Sequence, residues 1–219
     1  RVATVSNIPK LAEFTQNELR NRDIMVWFAD ENLQNLVESV HWDGSMATDW
    51  TGDYLMLVDA NMGALKSDYY MRRSLDYTVD FTGEKPVATI LYTYKHTAPY
   101  GDWRTSDYHT YLRAYVPKGA KLLERKLVGS PLTDEAFEKT YFGVFVDVLI
   151  GGQTEGMLKY ELPETVTEKD YRLLIQKQSG VGTLPVNIHI KTKDGKTFDQ
   201  TTELKKDLTL SIQEVEEKK

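Results

Sequence analysis

Cysteine is absent from the 219 residues, which excludes disulfides, thiol nucleophiles and cysteine-based metal sites together. No run approaches the roughly 18 apolar residues of a membrane-spanning helix, and the residues from Arg1 onward do not have the pattern of a signal peptide. Blocks of Lys and Arg are missing too. The 27 basic and 33 acidic residues are spread along the chain for a formal charge of -6, so no row of cations is available to neutralise phosphates, and nucleic acid is not an expected partner. The four histidines, His41, His96, His109 and His189, contain no His-x-x-x-His or His-Glu-x-x-His grouping that would point to zinc. Phosphate-cradling and dinucleotide-binding glycine motifs, and the Gly-x-Ser-x-Gly elbow, are also missing. No cofactor and no metal are expected, and an enzyme is the less favoured reading.

What the chain does have is an ordinary globular balance, with 41% hydrophobic and 27% charged residues, enough to bury a core without external staples. It opens RVATVSNIPK without an initiator Met, which reads as a fragment from which upstream sequence, an anchor included, has been removed. The first fifty residues carry helical signals. Pro9 stands at a plausible first helical position, and Leu11, Ala12, Thr15 and Leu19 follow on one face, so the spacing predicts a helix over 9–21. Asp30 is a good N-cap for a second helix bearing Leu33, Leu36, Val37 and Val40, closed by Asp43-Gly44.

From Tyr54 the period becomes two and stays so to Gln213. Leu75, Tyr77, Val79 and Phe81 alternate with Ser74, Asp76, Thr78 and Asp80, the pattern of a strand with one buried and one wet face. Ile90, Tyr92 and Tyr94 continue it, as do Leu112, Ala114 and Val116. Phe142, Val144, Val146, Val148 and Ile150 form an apolar face with Phe145 and Leu149 on the other side, which predicts a central strand with Phe145 buried. Lys193-Asp194-Gly195-Lys196 has the Asp-Gly signature of a type I′ hairpin. Roughly ten short strands with frequent turns predict a mainly β (α+β) fold, an antiparallel β-sandwich with an N-terminal helical cap. The expected division is 1–52 for the helical or mixed cap, 53–213 for the sandwich and 214–219 for a charged tail.

Three places carry candidate chemistry. Asp59-Ala60-Asn61-Met62-Gly63, with Asp68 nearby, has alternating oxygens, but Tyr70 stands where a calcium loop needs a bidentate Glu and position six has no glycine. A turn in which Asp59 and Asn61 bond their own backbone is the expectation. Lys66, Arg72 and Arg73 around Asp68 offer a site for phosphate or a carboxylate-bearing polymer, or else a mutually paired, solvated surface. The segment 97–109 sets Tyr100, Trp103, Tyr108 and His109 among Pro, Gly, Asp and Ser, where exposed rings on a rigid scaffold grip sugars or peptides. The plainer alternative folds Trp103 back as a lid on the sandwich.

The stretches VWFADENLQNLVESVHWDGSM and GDYLMLVDANMGALKSDYYMRRSLDYTVDF, followed by YLRAYVPKGAKLL, FGVFVDVLI and YRLLIQKQSG, resemble the C-terminal part of a bacterial family catalogued only as a domain of unknown function, the one numbered four thousand and twelve. The resemblance spans almost the whole chain and implies a cell-surface protein held by an N-terminal transmembrane helix, with an extracytoplasmic portion ending in this region. It implies no reaction and transfers no catalytic residues. The expectation is therefore an extracytoplasmic, membrane-anchored envelope module with a structural or interaction role, whose partners are cell-surface polysaccharide or another envelope protein. A carbohydrate-binding module for wall or capsular polysaccharide is the alternative, using Tyr100, Trp103, Tyr108 and His109. A polysaccharide-processing enzyme is the weaker one, because paired carboxylates are defined in space and not in sequence.

Overall fold

The computed structural model describes residues 7–126 and 129–213; the charged tail over 214–219 lies outside them. These residues form two helices, α1 (Ile8–Arg20) and α2 (Glu31–Ser39), and twelve strands: β1 (Asp53–Asn61), β2 (Met71–Asp80), β3 (Val87–His96), β4 (Tyr108–Pro117), β5 (Lys121–Lys126), β6 (Leu132–Ala136), β7 (Lys139–Val148), β8 (Gln153–Glu161), β9 (Arg172–Ile175), β10 (Leu184–Lys191), β11 (Thr197–Leu204) and β12 (Leu208–Ser211). The fold is mainly β, a sandwich of two six-stranded sheets, ordered β12-β9-β1-β4-β7-β6 and β11-β10-β2-β3-β8-β5. Alternation along each strand sends Tyr77, Ile90 and Tyr160 from one sheet and Leu112, Phe142 and Val146 from the other into one core.

Neither sheet is wholly antiparallel. β9 joins β1 in parallel and β10 joins β2 in parallel, so the last four strands extend each sheet across a parallel seam. Local alternation reports which face of a strand is buried but not the direction of its neighbour. The hairpin after β10 also departs from expectation. Gly195 alone takes a left-handed φ of +83° there while Asp194 does not, and Gly195 donates its N–H to the Thr192 carbonyl at 3.0 Å. That is a type I turn closed by a left-handed glycine. The I′ geometry belongs to the β6–β7 hairpin, where Phe137 and Glu138 both have φ 55°.

Asp30 caps α2 as its sequence position suggests, accepting from the Leu33 N–H at 3.0 Å. The two helices bury only Leu19 and Val37, and leave Leu11, Phe14, Leu33, Leu36 and Val40 exposed. They are tied to the sandwich through polar groups: Arg22 reaches the Ser45 carbonyl and Asp207, and Lys177 reaches the Asn21 carbonyl. Beyond them, Met46, Ala47 and Trp50 lie over Tyr54, Met56, Tyr115 and Leu174 on the outer face of the first sheet. Half of that face is thereby covered.

Candidate functional site on the first sheet

The uncovered half is built by two neighbouring strands. β4 points His109, Tyr111 and Arg113 outward, and β7 points Tyr141, Gly143, Phe145 and Asp147 outward, in register as His109 with Asp147, Tyr111 with Phe145 and Arg113 with Gly143. Phe145 is 69% exposed, which corrects the expectation that it is buried. β7 does pair on both sides, with β4 and β6, but only its inner face, carrying Phe142, Val144, Val146 and Val148, meets the opposite sheet. Its other face looks outward. Inner position in a sheet and burial of both faces are separate properties.

The rings on this face are fixed by their neighbours. Tyr111 and Phe145 have centroids 5.0 Å apart and tilted by 54°, and the Arg113 guanidinium lies 4.9 Å over the Tyr111 ring. A Cβ on Gly143 would stand 2.0 Å from the Tyr111 hydroxyl oxygen, so the glycine provides the seat across which Tyr111 lies. At the head of the strip His109 Nδ1 is 2.6 Å from an Asp147 carboxylate oxygen. Lower down, Tyr141 joins the row to the covered Tyr115, with centroids 5.3 Å apart.

The rim next to this strip holds the 97–107 connection. Asp102 and Thr105 exchange backbone hydrogen bonds, Arg104 donates its N–H to the Asp102 carboxylate, and the Ser67 hydroxyl donates to the Ser106 carbonyl. Asp107 accepts from the Ile150 N–H at 2.9 Å, which fastens the loop to the β7–β8 turn. On this tight loop Trp103 is 84% and Tyr100 71% exposed, so Trp103 is not a lid. Leu149, two residues beyond Asp147 on the outward side, is 66% exposed. Of the four residues predicted for a site, Tyr100 and Trp103 stand on the rim and His109 stands at the head of the strip.

Tyr108 does not join them. It begins β4 facing inward, fully buried, and its hydroxyl accepts from Arg73 at 3.0 Å. The same Arg73 pairs at 2.9 Å with both Asp59 and Asp68, which removes two other candidates. Asp59 lies inside β1, not in a turn; its side chain is 6% exposed and accepts from Tyr94 and Thr110 as well. Burial lifts its carboxyl above the usual range, against the opposing pull of Arg73 and the two hydroxyls. Only Asn61 behaves as a turn residue, accepting from the Gly63 N–H. Lys66, Asp68 and Arg72 are exposed, so the cluster around Asp68 is the mutually paired, solvated surface of the second reading, and Arg73 carries it inward to the buried Asp59.

At the opposite end of the sandwich lies a cleft of about 1330 Å³. Its walls come from the residues before β1, the 165–172 segment and the β10–β11 hairpin. Asp53 sits at its floor, fully buried, and accepts from the Tyr77 and Tyr171 hydroxyls and the Tyr54 N–H, each at 2.8 Å. Desolvation raises this carboxyl to about 6 even though the three donors oppose it. With all three donors already bound to it and no exposed surface, it serves as a hub that joins β1, β2 and Tyr171, the residue before β9.

Sequence periodicity conceals the strip of Tyr111, Arg113 and Phe145, because an apolar residue on the second side of a strand reads as buried. The signal that finds it is a pair of aromatics on the wet sides of two strands that also carry complete apolar inner faces. Among the described residues no helix is long and apolar enough to cross a membrane. Comparison of the chain with family models, with curated proteins and with solved structures gives no match in any of the three.

Proposed function

We propose that the chain is a non-catalytic binding module of a bacterial envelope protein, and that it grips a polysaccharide along the outer face of the first sheet. The observation that carries this reading is Phe145, a large ring held in solvent by a rigid strand and braced against Tyr111. A sugar presents an apolar C–H face and a rim of hydroxyls, which suits rings alternating with hydrogen-bonding groups. Here the Phe145–Tyr111 row lies between the His109–Asp147 pair and Arg113. The extracytoplasmic placement, and the anchor upstream of the chain, rest on the family resemblance alone.

Affinity electrophoresis and calorimetry against soluble wall and capsular polysaccharides test the reading. Phe145→Ala is expected to weaken binding by about 2 kcal/mol, about thirtyfold, with the melting temperature nearly unchanged. A polymer that binds both proteins equally contradicts it. A second reading, contact with another envelope protein, is favoured by the apolar residues that α1 and α2 leave exposed. Leu36→Asp is then expected to abolish that contact and to leave polymer binding intact.

A further inference from the structure

We infer that the polymer bound on this face is acidic, and that Arg113 reads its carboxylates; the inference rests on the polysaccharide reading above. Several other guanidiniums are engaged by carboxylates or backbone carbonyls: Arg22 with Asp207, Arg73 with Asp59 and Asp68, Arg104 with Asp102, and Arg72 with the Tyr69 and Met71 carbonyls; Arg172 lies over the Trp50 ring, away from this face. Arg113 differs. Among the described residues no carboxylate lies within 4.0 Å of it, and its contact is the Tyr111 ring at 4.9 Å. It sits in the middle of the strip, flanked in register by Val58 and Gly143, two uncharged and compact neighbours.

The carboxylates closest along the face are already committed. Asp147 bonds His109, and Asp134 accepts from the Glu135 N–H and the Tyr141 hydroxyl. A guanidinium presents five donors in a planar fork that matches a carboxylate in two parallel hydrogen bonds. Contact with the Tyr111 ring holds the guanidinium in place and limits the side-chain freedom lost on binding. The ring faces supply sequence-tolerant stacking to the sugar, and Arg113 supplies the charge that a neutral chain cannot use. Arg113 is thus the specificity-determining residue of the face.

The test measures calorimetric affinity of the full chain for polygalacturonate, for the same polymer after carboxyl reduction, and for a sulfated glucan. Wild type is expected to bind polygalacturonate at least tenfold more tightly than the reduced polymer, with the margin shrinking as salt is raised. Arg113→Gln is expected to erase the margin while keeping the affinity for the reduced polymer, and Phe145→Ala to weaken both. Equal binding of acidic and reduced polymer by wild type, abolished by Phe145→Ala, overturns the inference about charge and leaves the polysaccharide reading standing. Preference for the sulfated glucan over polygalacturonate also overturns it, because the fork would then be reading anions of another shape. Binding of none of the three overturns both.

Discussion

Phe145 and Asp53 illustrate how environment sets the role of a single side chain. A buried phenylalanine truncated to alanine costs about 3 to 5 kcal/mol, but Phe145 is exposed and has Tyr111 as its ring partner. Its truncation is expected to change stability by less than about 1 kcal/mol; urea unfolding checks this. Asp53 is the reverse case, polar and fully buried. Its carboxyl is raised to about 6 from an ordinary 3.8, so the folded state holds its proton more tightly than the unfolded chain does. That makes the folded state costlier above pH 6 by about 3 kcal/mol, and the cost disappears as pH falls from 6 towards 4. The protein is expected to be more stable to urea at pH 5 than at pH 7.5. Asp53→Asn should reduce that gain; an unchanged pH profile would mean that Asp53 titrates normally.

At the level of strands, the period of two was legible throughout. Leu75, Tyr77 and Val79, and Phe142, Val144, Val146 and Val148, are the buried sides of β2 and β7 as their alternation predicts. What alternation does not encode is pairing. The parallel seams of β1 with β9 and β2 with β10 join residues more than a hundred positions apart, and no local pattern fixes such long-range direction. The helices show the same limit from the other side. Their spacing predicts apolar faces correctly, yet Leu11, Leu33 and Leu36 on those faces remain exposed. Cross-strand packing yields a sharper prediction at Gly143. Adding a methyl there pushes the Tyr111 hydroxyl from its seat, and the ring has solvent to move into. Gly143→Ala is therefore expected to weaken polymer binding several-fold while shifting the melting temperature little. Intact affinity would show that the flat placement of Tyr111 is not needed.

Across the whole molecule, the sandwich presents three distinct surfaces: the aromatic strip and rim of the first sheet, the cleft over Asp53, and the apolar side of the helices. The sequence pointed to the rim through Tyr100 and Trp103, because aromatics in a polar connection stand out. It hid the strip, because Tyr111 and Phe145 sit inside regular strands and resemble core. Tyr108 was misplaced for the converse reason, being the first inward residue of β4 and not the last of the loop. The strip, and neither of the other surfaces, is expected to meet the polymer. Titrating the isotope-labelled protein with a short acidic oligosaccharide and following backbone amide shifts tests this directly. The largest changes are expected on residues 109–113 and 141–147, with smaller ones at Tyr100 and Trp103. Changes concentrated at 165–172 and 192–196, or on α1 and α2, would contradict it.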